Sequence, residues 1–308
     1  MSPQRQLSVV VPVFNEEDCI EEFFLETSKS LKDFNSWEIV FIDDGSSDTS
    51  WFQLEKLAKQ NRNVKAIRLT RNFGHQIAVS AGLEHTIFET IAIIDADLQD
   101  PPSLLPKMYE LMTIDVDIVY GKRLNRRGES LFKKFTAMLF YRIFRALVPF
   151  EIPIDTGDFR IISRKVKNHV VAMNEQDPFL RGLFALTGYC SVPFEYERQP
   201  RRAGESKYNL RKMVNLAINA ILTFSDFPLR LFTKISLFLL FLAILVGGWA
   251  IIISVTGEAT SGWLSIFSLV LFLGSLNIIL SAIVGAYVLQ AVKASRRRPQ
   301  YFISQTIN

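Results

Sequence analysis

Four short apolar runs, each closed by a polar turn and followed by helical periodicity, occupy the first hundred residues of the chain. LSVVVPVFN (7–15) is continuously apolar and ends in Pro and Asn, the pattern of a buried parallel strand that opens into a loop. Glu16 and Glu17 then start a helix expected to reach about Leu31. WEIVFIDDGSSDTS (37–50) repeats the form, with Ser and Asp available to cap the next helix. NVKAIRLTRN (63–72) gives a third strand and FGHQIAVSAGLEHT (73–86) its helix. TIAIIDADLQDPP (90–102) gives a fourth, stopped by two prolines. Strands alternating with helices predict an α/β fold: a mainly parallel sheet with helices on both faces. Ligands of such sheets bind beyond the carboxyl ends of the strands, where each of these polar clusters falls.

The pattern changes after about residue 229. Residues 235–256 carry no charge over about 22 positions, enough to cross a bilayer's hydrocarbon core. A second uncharged stretch, 263–292, runs for about 30 positions and can span with tilt. The linking GEATSG holds one acid and no Lys or Arg. Arg230 and Lys234 precede the first stretch; Lys293, Arg296, Arg297 and Arg298 follow the second. The positive-inside rule then puts both termini in the cytoplasm. The expected organisation is a cytoplasmic catalytic domain over 1–228, a two-helix transmembrane hairpin over 229–292 and a basic cytoplasmic tail over 293–308. Residues 131–150 and 208–228 mix Phe and Leu with Lys and Arg at helical spacing. Such helices lie in the headgroup layer or pack on the enzyme's own sheet. Packing of the spans into a homo-oligomer would bury Gly247, Gly248, Gly274 and Gly285.

Composition adds exclusions. Of 308 residues 49% are hydrophobic, concentrated in the last third, and the net charge of +4 is too modest to name a partner by itself. Cys19 and Cys190 are far apart and have no metal-ligand spacing, which reads as two packed thiols in a reducing compartment. His75, His85 and His169 form no local pair suited to zinc. The polar start running straight into a strand shows no secretory signal. Metal chemistry is therefore expected from carboxylates, in the cytoplasm. Nucleic acid is not an expected partner: no recognition motif is present, and acids at the strand ends would repel phosphates without a metal.

The central cluster is Asp95-Ala96-Asp97-Leu98-Gln99. Two carboxylates one residue apart, at the end of a buried strand, can turn their oxygens toward one site. Mg²⁺ or Mn²⁺ takes such oxygens and bridges them to phosphate. Asp43, Asp44 and Asp48 at a neighbouring strand end strengthen the reading, because clustered carboxylates repel one another unless compensated.

VVVPVFNEE (9–17), IDDGSSDTS (42–50), RNFGHQ (71–76) and DADLQDPP (95–102), in this order and spacing, resemble the family 2 glycosyltransferases. The resemblance implies the GT-A nucleotide-diphosphosugar fold and a nucleotide sugar donor. It implies a metal and donor site at Asp95 and Asp97, with Gln99 as an additional metal contact and Ala96 beside the donor. It places the nucleoside near Pro12, Val13, Asn15, Glu17 and Asp44, with Arg71 close by. GKRLNRRGES (121–130), DTGDFRIISRKV (155–166) and RRAGESKYNLRKM (201–213) resemble the polyisoprenyl-phosphate branch of that family, and more closely its bactoprenol-phosphate glucosyltransferases. That implies a polyprenyl phosphate acceptor bound by Arg123, Arg160, Arg202 and Lys207, and basic residues at a membrane surface suit a lipid phosphate. The closer resemblance favours UDP-glucose over GDP-mannose as donor, and inversion at the anomeric carbon.

A phosphomonoester has a second pKa of about 6 and is mostly ionised near neutrality, so positioning and charge neutralisation should dominate. Asp158, with Asp155 second, is expected near the attacking oxygen, and Asp97 completes the catalytic set. A processive polysaccharide synthase would carry a Gln-x-x-Arg-Trp motif, which the chain lacks. An inactive sugar-nucleotide-binding scaffold is disfavoured by the intact Asp95, Asp97, Asp155 and Asp158.

Overall fold

The computed structural model describes residues 5–124, 156–199, 227–256, 262–296 and 298–308. It divides into two compact units, Met1–Ala217 with Arg298–Asn308, and Ile218–Arg297. The strands of the first unit are β1 (Gln6–Val13), β2 (Ser36–Asp43), β3 (Val64–Leu69), β4 (Thr90–Ile93), β5 (Ile118–Arg123), β6 (Thr156–Ser163), β7 (Ser191–Tyr196) and β8 (Ile303–Ile307). Its helices are α1 (Ile20–Ser30), α2 (Ser50–Gln60), α3 (His75–Glu84), α4 (Leu105–Glu110), α5 (Arg164–Met173) and α6 (Leu180–Leu186). All eight strands form one sheet in the order β7-β5-β6-β4-β1-β2-β3-β8. The pairs β1–β2, β2–β3, β1–β4 and β5–β7 are parallel. Antiparallel pairing joins β4–β6, β5–β6 and β3–β8.

The apolar runs explain the layering. Leu7, Val9, Val10 and Val11 of β1 are all fully buried, because helices cover both faces of the central strands. On one face α1 and α2 contribute Ile20, Phe23, Trp51 and Leu54 to the larger core cluster. On the other, Ala78 and Ala81 of α3 pack on Val40, Ile42 and Ile67. Gly82 lets α3 come this close: a Cβ there would stand 2.3 Å from Val10 Cγ1. Each fully buried Phe or Leu contributes about 1.5–3 kcal/mol relative to exposure.

The α/β alternation is as expected, with two differences. Helix α1 begins at Ile20, not at Glu16, because the intervening acids are tied to the β2–α2 loop: Glu16 N–H donates to Ser50 Oγ and the Glu17 carboxylate accepts from Thr49 N–H. The second difference is the tail. Residues 298–308 belong to the first unit, and β8 closes the sheet against β3. Thr70 N–H donates to Phe302 O at 2.9 Å, Tyr301 OH to Glu84 at 2.7 Å, and the Asn308 amide to the Arg62 and Val64 carbonyls at 2.8 Å.

The second unit contains α7 (Phe227–Thr256) and α8 (Trp263–Ser295), about 45 and 50 Å long at 1.5 Å per residue. Among the described residues one helix, α8, is apolar and long enough to cross a membrane, over Phe272–Leu289 with mean hydropathy 2.0 and no part buried. Exposed Phe238, Phe241 and Trp249 give α7 an apolar surface as well. The segments 131–150 and 208–226, and with them Asp155, Arg202 and Lys207, lie outside the described residues.

Candidate active site

The loops after β1, β2 and β3 form a rim held together by side chain to backbone hydrogen bonds. Asn15 sits in the left-handed region (φ 54°), where its Oδ1 accepts Ser47 N–H at 2.9 Å and its own N–H reaches Ser46 Oγ at 3.0 Å. Asp44 accepts the N–H groups of Phe73 at 2.7 Å and Gly74 at 2.9 Å, fixing the start of α3. Gly45, at φ +71°, is needed at the crossing, since a Cβ would lie 2.6 Å from the Arg71 carbonyl carbon. Asp43 takes Ser46 N–H at 3.1 Å and faces Arg68 at 3.2 Å. Burial raises the pKa of both Asp43 and Asp44, although these donors oppose the shift. Glu17 is spent on Thr49, accepting from its N–H and its hydroxyl. Pro12 and Val13 end β1 beneath this rim, and Asp44 N–H donates to Val13 O at 2.8 Å. The Arg71 guanidinium is exposed and stacks over Phe73 at 4.0 Å.

The loop after β4 is built differently. Asp97 Oδ1 accepts Gln99 N–H at 3.2 Å, and Leu98 between them has φ 56°, a costly value for a residue with a Cβ. Leu98 is only 2% exposed, so burial of its side chain, with Ala96, in the main core offsets that strain. Asp95 Oδ1 is buried and accepts no hydrogen bond. Burial pushes the Asp95 carboxyl up to about 6; the facing His75 opposes the shift, and Asp158, Asp100 and Asp97 add to it. A buried carboxylate oxygen without a donor, next to a second carboxylate, suits a hard divalent cation. No group of three His, Cys, Asp or Glu suited to a metal occurs among the described residues. The Asp95 and Asp97 carboxylates and the Gln99 amide expected to hold such a cation all stand on this one loop.

Opposite this loop, Asp158 of β6 is the most heavily bonded carboxylate of the site. Arg181 Nε of α6 donates to it at 2.8 Å, His75 Nε2 lies at 3.1 Å and Gln76 Nε2 at 3.2 Å. Burial would raise its pKa, but Arg181 and His75 hold the Asp158 carboxyl well below the usual range. Burial likewise works against a charged His75, yet Asp95 and Asp158 push its pKa up to about 9. His75 Nε2 is 3.7 Å from Asp95 Oδ1, so one imidazolium links the β4 loop to β6. Gln76 also accepts Leu180 N–H at 3.0 Å, which fixes α6 and with it Arg181.

The two described residues expected at the lipid phosphate are placed differently. Arg160 is turned inward, 4% exposed, donating to the Asp158 and Gly157 carbonyls and lying 4.4 Å over Phe184. Burial lowers its pKa to about 10. Arg123, at the end of β5, reaches toward Asp100 at 3.7 Å. The structure brings Asp95, Asp97, Gln99 and Asp158 to one edge of the sheet. It also adds two residues that sequence reasoning did not assign to the site. His75 lay within the quoted RNFGHQ motif, whereas Arg181 lies in no motif and is found only through its contact with Asp158.

The sequence profile described as glycosyl transferase family 2 matches residues 8–170. A glycosyltransferase of Synechocystis sp. is 36% identical over 301 residues, 97% of this chain and 95% of that one. Bactoprenol glucosyl transferase of Shigella phage SfX is also 36% identical, over 97% of this chain and 98% of its own length. Among solved structures, glucosyl-3-phosphoglycerate synthase of Mycobacterium tuberculosis in complex with Mn²⁺, UDP and glucosyl-3-phosphoglycerate is 19% identical, with TM-score 0.46, covering 71% of this chain and 78% of that one.

Proposed function

We propose, for this chain, which belongs to the family 2 glycosyltransferases, that it transfers glucose from UDP-glucose to polyprenyl phosphate at the cytoplasmic face of a membrane. It is an enzyme with a GT-A-like α/β fold. The observation that carries the finer reading is the near full-length similarity to a bactoprenol glucosyl transferase, which takes in the hydrophobic C-terminal third as well as the sheet.

In the proposed reaction an oxygen of the lipid phosphate attacks the anomeric carbon as that carbon's bond to the UDP β-phosphate oxygen breaks. UDP leaves with the electron pair, and a single displacement inverts the centre. Asp95, Asp97 and Gln99 would hold Mg²⁺ or Mn²⁺, which when bound neutralises the diphosphate leaving group. The attacking phosphate is already ionised and needs no base. A carboxylate held as low as Asp158 is a poor proton acceptor near neutrality, so its role is to orient His75 and Arg181. Those two cations then face the reacting phosphates across the β4 loop, with Asp155 a second candidate for the acceptor side. The rim of Pro12, Val13, Asn15, Glu17 and Asp44, with Ala96 and the exposed Arg71, would receive the nucleoside. Arg123, Arg202 and Lys207 remain candidates for the lipid phosphate; the inward turn of Arg160 removes it from that set.

Two membrane spans are supported by the charge pattern and by the tail. The uncharged stretches lie within α7 and α8, with Lys and Arg only outside them. Chain segments on both sides of α7 and α8 belong to the same folded unit, which supports an even number of crossings between them. This agrees with the positive-inside assignment of both ends to the cytoplasm. The exposed faces of α7 and α8 could also serve a homo-oligomer.

The test is label transfer in liposomes containing polyprenyl phosphate and Mg²⁺ or Mn²⁺, with radiolabelled UDP-glucose and GDP-mannose in parallel. Label entering lipid from UDP-glucose alone is the expected result. Transfer from GDP-mannose alone would replace the donor, and transfer from neither would remove the reading.

A further inference from the structure

Asp100, the residue after Gln99, is buried in the β4 loop and meets one hydroxyl donor and two guanidinium charges at the ends of two strands. Tyr196 OH of β7 donates to its Oδ1, Arg198 Nε stands 3.3 Å from the same oxygen, and Arg123 Nη2 of β5 stands 3.7 Å from Oδ2. The Asp100 side chain is 1% exposed, whereas Arg123 and Arg198 are 22% and 26% exposed. Burial works against the charge on Arg123, yet Asp100 raises its pKa. Burial and then Asp100 push the Tyr196 hydroxyl upward too, so it remains a donor. Gln199 N–H adds a backbone bond to Gln99 O at 3.0 Å.

Arg123 also reaches the opposite wall. Its Nη2 occupies the space over Gly157 so closely that a Cβ there would lie 2.4 Å from it. Gly157 precedes Asp158. A single guanidinium therefore bridges the end of the β4 loop and the strand that carries Asp158. Leu98 supplies the reason such a clamp is needed: a strained left-handed residue persists only where its surroundings over-determine it. The Leu98 side chain is fixed in the core on one side of the turn, and Asp100 fastens the chain on the other.

We propose that the Asp100–Tyr196–Arg123–Arg198 cluster is a positioning device, holding Asp97 and Gln99 at the metal and setting their distance from Asp158 through Arg123 and Gly157. The inference rests on the glycosyltransferase reading of the site and adds to it Asp100, Tyr196 and Arg198, to which that reading gives no contact with metal or substrate. It also gives Arg123 a role apart from the lipid phosphate.

Mn²⁺ binding in the presence of UDP, measured calorimetrically on the full chain in detergent, tests this for wild type, Asp100→Asn and Gly157→Ala. Both variants should weaken Mn²⁺ by roughly tenfold or more, the usual consequence of losing a group that holds a metal ligand in place. The metal concentration giving half-maximal transfer should rise in step, and the melting temperature should stay near that of wild type. Gly157→Ala displaces only the far end of a flexible side chain, so it decides the matter if Asp100→Asn does not fold. Wild-type Mn²⁺ affinity in the folded variants, or a lowered melting temperature with unchanged affinity, would overturn the clamp and leave the glycosyltransferase reading intact. A wild-type protein that neither binds Mn²⁺ with UDP nor transfers glucose would overturn both.

Discussion

The two acidic clusters at the carboxyl edge of the sheet look alike as strings of residues and do different work. In the loop after β2, Asp43, Asp44 and Asp48 accept backbone N–H groups of Ser46, Phe73, Gly74, Ser50 and Glu17. They hold three loops in one rim. In the loop after β4, Asp95 keeps a buried oxygen with no donor, and burial raises its pKa toward 6. A carboxylate satisfied by backbone is a structural element; one left short of partners in a buried, acidic setting attracts a cation. Counting acids at strand ends does not separate the two cases; the facing charges do. The orphan Asp43 Oδ2 stands 3.2 Å from Arg68, whereas Asp95 Oδ1 stands 3.7 Å from His75 with Asp158, Asp100 and Asp97 close enough to raise its pKa.

Substitutions can break that contrast, and the largest effect should fall on the β4 loop. Asp97→Ala should cut transfer by roughly a thousandfold, equivalent to several kcal/mol of lost transition-state stabilisation, while thermal unfolding changes little. Arg181→Ala comes next. It removes the shortest bond to Asp158 and should lower kcat on the order of tenfold, with Arg181→Lys recovering part of it. Asp44→Ala should act on the fold, costing about 2 kcal/mol in denaturant unfolding because two loop N–H groups lose a charged acceptor. Mn²⁺ affinity of the folded Asp44→Ala protein should remain near wild type. The smallest effect is expected of Glu17→Ala, about 1 kcal/mol, from loss of its bonds at the start of α2.

Much of the parallel half of the sheet was legible because its strands are buried on both faces and therefore read as unbroken apolar runs. The Asp95–Asp97 loop was legible for a related reason, since acids directly after such a run stand out. The tail was not. ISQTI is short, mostly exposed and flanked by a basic stretch, so nothing in its pattern distinguishes an edge strand from a solvated end. Arg181 and the Asp100 clamp were hidden for another reason. Their partners are 23 and up to 98 positions away in the chain, and only the folded sheet brings them together. Arg160 shows the converse error: a basic residue near a candidate acceptor segment invites a surface role, but β6 is buried on both faces and Phe184 of α6 covers the guanidinium.

The most direct measurement is transfer of labelled glucose from UDP-glucose to polyprenyl phosphate by wild type and Asp95→Asn in the same liposomes, with and without EDTA. The account predicts labelled lipid from wild type, its loss with EDTA, and no transfer by an Asp95→Asn protein that melts at or above the wild-type temperature. Transfer that survives either EDTA or Asp95→Asn would contradict it.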